Sequence, residues 1–91
     1  MATFIVTYDT HAGRNYTALY EGMKKNTGVR LAESVWGIEL NSDVSMVRKW
    51  IKGLLDGDDT VVVLQLKPKV TWATQKASAE AVAWLKLRVH P

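Results

Sequence analysis

The apolar positions of this chain change their period several times, and each change marks a new element. Residues 3–9, TFIVTYD, are β-branched and aromatic and end at an aspartate, the composition of a strand. THAGRN then breaks the run, with Gly13 as a turn residue and Asn15 as the expected N-cap of a helix. Beyond it Tyr16, Leu19, Tyr20 and Met23 fall at i, i+3, i+4 and i+7, so one helical face is apolar while Glu21, Lys24 and Lys25 face out. NTG closes that helix, with Asn26 or Gly28 expected in the left-handed conformation.

Val29–Leu40 is extended in two parts, VRLA and SVWGIEL. In the second part Trp36, Ile38 and Leu40 share a consistently apolar face, and Val35, Gly37 and Glu39 share a mixed one, so this strand is half buried. Ser34 sits at the turn between the two parts. NSDVSMVRKWIKGLLDGDD opens on the cap-forming Asn41 and Ser42, puts Val44, Val47, Ile51, Leu54 and Leu55 on one stripe, and stops near Gly57. TVVVLQL, residues 60–66, is a continuous apolar run of strand length.

The order strand, helix, strand, strand, helix, strand predicts an α+β protein of the ferredoxin-like, βαββαβ class. Its two helices would cover one face of a four-stranded sheet, leaving the other face wet or covered by a second copy. Residues 1–66 form this core, and 67–91 form a basic C-terminal arm that packs on the core or on a partner subunit. SAEAVAWLKLRVHP suits a helix through Ala79, Val82, Ala83 and Trp84, yet WLKLRVH also alternates. The expectation is a short helix leading to a terminal strand or extended arm.

At 91 residues the chain is one domain, and 47% apolar with 23% charged residues is an ordinary globular composition. The absence of cysteine excludes disulfide frameworks, thiolate metal sites and thiol nucleophiles. The apolar run at the N-terminus is too short for a signal peptide or a membrane span, so a cytoplasmic protein with no membrane partner is expected. Net charge is +3, but residues 1–66 hold seven Lys/Arg against eight Asp/Glu, a balance of −1, while 67–91 hold five against one, a balance of +4. A polyanion would meet the tail first, through Lys67 and Lys69, unless folding gathers the other cations onto one side.

Few polar residues stand where a strand delivers them to a site. Asp9 ends the first strand and is either a turn-forming aspartate or, paired with its copy across a dimer axis, a carboxylate able to hold a cation that activates water. His11 is the candidate general base beside it, and His90 a weaker one. Ser34 has no local base and suits a hydrogen bond to a loop backbone or a phosphate. Arg14 is the cation of the first loop. Trp36 and Trp50 lie on apolar faces, whereas Trp72, between a basic turn and the tail, is the tryptophan expected to be exposed and able to stack on a base.

TFIVTYD, SVWGIEL, VRKWIKGLLDGDD and TVVVLQL together resemble the small CRISPR-adaptation proteins, Cas-two, and the related SinR-like and VapD-like chains, with TWA at 71–73 extending the likeness. The resemblance implies a ferredoxin-like homodimer, magnesium held by Asp9 at the two-fold seam, Ser34 lining that seam, and a C-terminal segment touching the partner. The function it implies is nucleic-acid association, with Mg²⁺-dependent endonuclease activity at Asp9; read from the residues themselves, His11 is the second candidate catalytic residue, and Arg14, Ser34, Lys67, Lys69 and Trp72 are the candidate nucleic-acid contacts. The alternative is a non-catalytic dimer, either an adaptor that binds nucleic acid or a protein partner, or one that sequesters a nucleotide-like ligand.

Overall fold

Two hydrophobic faces of one sheet organise the molecule, and a different set of helices covers each. The computed structural model describes residues 1–67 and 69–89; Pro68, His90 and Pro91 lie outside the described residues. In chain order the elements are β1 (Ala2–Tyr8), α1 (Thr17–Lys25), β2 (Val29–Ala32), β3 (Val35–Leu40), α2 (Val44–Lys52), β4 (Val61–Leu66) and α3 (Ala79–Arg88). The strands form one antiparallel sheet in the order β2-β3-β1-β4, so the class is α+β and the layout is compatible with a split βαβ plan.

Alternation along β1 sends Phe4, Val6 and Tyr8 to one face, where Phe4 registers with Ile38 and Val6 with Trp36. Leu19 and Met23 of α1 and Val47 and Ile51 of α2 close over these residues to form the core. Trp36 is buried there and Trp50 packs at its margin, as their apolar spacing predicted.

The helix ends differ in detail from the expected ones. Asn15 accepts the Thr17 N–H at 2.8 Å, although the N-cap position itself belongs to Tyr16. At the other end Thr27, not Asn26 or Gly28, takes the left-handed conformation, with φ 59°. Its N–H donates to the Lys24 carbonyl at 3.1 Å and the Gly28 N–H to the Met23 carbonyl at 2.7 Å, the paired bonds of a Schellman closure. Gly28 is needed for closeness instead: a β-carbon there would lie 2.9 Å from the Met23 carbonyl oxygen. Asp43, not Asn41 or Ser42, caps α2 by accepting the Met46 N–H at 2.9 Å. Leu54 and Leu55 fall past the end of α2 but still pack against the core.

The tail departs most from expectation. Among the described residues no terminal strand follows the helix; α3 continues through the WLKLR alternation. Ser78 starts it by accepting the Ala81 N–H at 3.0 Å. Ala81 and Trp84, three apart, then face inward and leave Leu87 67% exposed. What decides between the two patterns is the sheet's second face. The Trp84 ring lies so close over Gly37 that a β-carbon on Gly37 would come within 2.5 Å of it. Arg88 Nη1 reaches Glu39 Oε1 at 3.9 Å on the same face.

α3 thus covers the β2–β3 half of the second face. The β4 half stays open, with Val62 46% and Leu64 52% exposed. Among the described residues no helix is long and apolar enough to cross a membrane.

Candidate functional site

The C-terminal end of β1 collects three of the residues singled out by the sequence. The Tyr8 N–H donates to the Ser34 carbonyl and the Asp9 N–H to the Thr60 carbonyl, each at 3.2 Å, so the β2–β3 turn and the start of β4 flank Asp9. Ser34 therefore contributes its backbone here, and its hydroxyl makes no hydrogen bond among the described residues. The Tyr16 hydroxyl pins the following loop: it accepts the His11 N–H at 2.8 Å and donates to the Asp9 carbonyl at 3.4 Å. Tyr16 is a core residue of the α1 stripe, so helix packing sets the position of the His11 backbone.

Arg14 leaves this loop and crosses to the one before β4. Its guanidinium donates to Asp59 from Nη1, to Asp58 Oδ2 from Nη2 at 2.9 Å, and lies 3.3 Å from Asp56 Oδ2 through Nε. Asp59 is the centre of the cluster, its side chain only 1% exposed. It also accepts the Asp56 N–H at 2.9 Å and lies 3.4 Å from His11 Nε2. The hydrogen bond from Arg14 holds the Asp58 carboxyl below the usual carboxylate range, and the same bond raises the Arg14 guanidinium above its already high value.

This clamp changes what two candidates offer. Arg14 spends its donors on three carboxylates of its own chain, so a phosphate reaching it would have to displace them. His11 presents Nε2 to Asp59, which holds the ring against that carboxylate. Sequence patterning missed Asp56, Asp58 and Asp59 because DGDD serves equally well as a helix stop. Their shared partner, Arg14, lies 45 positions before Asp59 and 44 before Asp58, and no local signal links them.

Asp9 is exposed, and its carboxylate takes part in no hydrogen bond or ion pair among the described residues. Among those residues no group of three or more His, Cys, Asp or Glu is placed to hold a metal ion. Asp9 and Glu33, the latter in the turn that flanks it, thus carry carboxylates without a partner among the described residues, and a magnesium centre on Asp9 would draw further ligands from beyond its own strand.

The remaining candidates lie at the opposite end of the sheet. β4 runs antiparallel to β1, so Lys67 follows Leu66, which registers with Thr3, about 20 Å along the strands from Asp9. Trp72 is half buried, not exposed as expected, and its Nε1–H donates to the Val89 carbonyl at 3.0 Å, tying the tail to the end of α3. Lys67 and Arg88 line one cavity of about 450 Å³ together with Thr3 and Gln65. α1 also ends on Lys24 and Lys25 after running back from the Asp9 end, and α3 ends on Lys86 and Arg88. The structure divides the site: Asp9, His11, Arg14 and Ser34 stand at an acid-rich end, Lys67 and Lys69 at a basic one.

No protein-family model, curated protein or solved structure matches this chain.

Proposed function

We propose that the chain is a nucleic-acid-associated binding module of the ferredoxin-like type that works as a homodimer, with its polyanion face at the basic end of the sheet. The observation that carries this reading is the separation of charge. Lys67, Lys69, Lys86 and Arg88 come from β4, the tail and α3 at one end, while at the other Asp56, Asp58 and Asp59 clamp Arg14, and Glu33 offsets Lys76 beside it. Lysines and arginines gathered on one side attract phosphate without demanding a sequence, which suits a scaffold better than a reader of bases. The likeness of TFIVTYD and SVWGIEL to the Cas-two chains supports the same class of partner.

The test is oligonucleotide binding by fluorescence anisotropy across a salt series, with single- and double-stranded DNA and RNA. Deleting 74–91 would strip Trp84 from Gly37 and disturb the sheet, so charge variants are the sharper probe. Lys86→Gln and Arg88→Gln should each weaken binding and reduce the slope of log K against log salt by about 1. Binding whose slope ignores both substitutions removes the proposed face.

A second reading is favoured by the uncommitted carboxylate at Asp9 beside His11: a Mg²⁺-dependent endonuclease assembled across a two-fold axis. It expects Asp9→Ala to abolish Mg²⁺-dependent cleavage while light scattering still shows the dimer. Equal cleavage by both proteins rejects it.

A further inference from the structure

The sheet has two edges, and only one is protected against a further strand. β2 is four residues long, carries Arg30, slips register between Arg30 and Ala32, and is backed by α3. Short length, a bulge, a charge and a covering helix are the devices that stop edge strands from pairing. β4, the other edge, is backed by α2 on its core face but has none of the other devices: Thr60–Leu66 is longer, contains no charge and no proline, and its register with β1 is unbroken.

The pairing pattern shows which β4 backbone groups are open. The Asp9 N–H donates to the Thr60 carbonyl, so Thr60 and then Val62, Leu64 and Leu66 direct their polar groups to β1. Val61, Val63 and Gln65 therefore aim theirs outward, and none of them takes part in a further backbone hydrogen bond among the described residues.

We propose that β4 pairs antiparallel with β4 of a second copy, about a two-fold axis through Val63, to make one continuous eight-stranded sheet. This names the interface of the homodimer in the preceding reading and rests on that part of it. In this register Val63 faces its own copy and Val61 faces the partner's Gln65, so the outward groups meet and each pair exchanges both N–H···O bonds. Val62 lies opposite the partner's Leu64, and the two exposed apolar side chains of the open face cover each other.

Charge decides the occupant and the direction. β4 is preceded by Asp56, Asp58 and Asp59 and followed by Lys67 and Lys69. Antiparallel pairing lays the acidic start of each strand beside the basic end of its copy, with Lys67 level with the turn before the partner's β4, where Asp58 is the exposed carboxylate, twice per dimer; parallel pairing would oppose like charges. Lys86 and Arg88 belong to α3 and stay outside this pairing. Arg48 lines the groove beside Val63 and so stands near the axis. The same register carries the two Asp9 residues about 20 Å apart along the strands, so this dimer and a magnesium seam on Asp9 exclude each other.

The chain has no cysteine, so engineered thiols report on register without interference. Val62→Cys and Leu64→Cys proteins are mixed under mild oxidant and cross-linking is compared with each protein alone, alongside light scattering of the wild type and of Leu64→Lys. The expected result is a wild-type dimer, heterodisulfide in the mixture about tenfold above either protein alone, and at least about tenfold weaker dimerisation for Leu64→Lys with unchanged far-ultraviolet circular dichroism. A wild-type monomer overturns both this interface and the homodimer reading. A dimer that Leu64→Lys leaves intact, and whose mixture does not cross-link, overturns the β4 pairing alone and places the axis elsewhere, as would a face-to-face dimer.

Discussion

Tyr8 and Gly37 show how single residues tie the two faces of the sheet together. The Tyr8 hydroxyl is buried and accepts the Trp36 Nε1–H at 3.2 Å. Burial raises the Tyr8 phenol above its ordinary value, the Trp36 bond opposing this in part. A group whose folded value is raised stabilises the fold below its unfolded value and loses that contribution as pH climbs past the folded one. Tyr8→Phe should therefore flatten the loss of stability above about pH 10, seen as a smaller drop in urea midpoint between neutral and alkaline buffer. On the opposite face Gly37 has a different constraint. Adding one methyl there drives it into the Trp84 ring, so Gly37→Ala should cost about 1–3 kcal/mol in chemical unfolding. Pairing the change with Trp84→Leu should recover part of that loss.

At the scale of elements, the patterns that proved legible were those enforced by one neighbour. The core face of β3 and the stripes of α1 and α2 each pack against the same Phe4, Val6 and Tyr8 surface, so a single periodicity describes each of them. The tail was ambiguous because both of its patterns are real, and a tertiary contact, Trp84 on Gly37, selects the helix. Its local start is a cap with an exposed side-chain partner, so Ser78→Ala should destabilise α3 by about 1 kcal/mol and speed amide exchange at Ala81. The candidate site was half legible for the same reason. Asp9 and Ser34 sit where strand ends must be, whereas the Arg14 clamp joins two loops and has no periodicity to betray it.

For the molecule as a whole, the clamp and the open strand are neighbours, since Asp59 leads directly into β4. The Arg14 hydrogen bond depresses the folded value of Asp58, so it stabilises the fold above the unfolded value and that support is lost as pH falls through the depressed one. Acid therefore loosens the link between the 11–14 loop and the 56–59 loop before it touches the core, beginning below about pH 4. If β4 pairs with its copy, the same protonation of Asp58 also reduces the negative charge that Lys67 meets across the axis, and the dimer should weaken over that range. Light scattering on lowering the pH should show dissociation beginning while Trp36 and Trp84 fluorescence still reports a folded core. High salt at neutral pH should weaken the flanking charge pairs alone and leave the apolar Val62–Leu64 contact, giving a smaller loss than acid. A dimer that responds to salt as strongly as to acid would be held by charge rather than by the strand, contrary to an interface built on the open backbone of Val61, Val63 and Gln65.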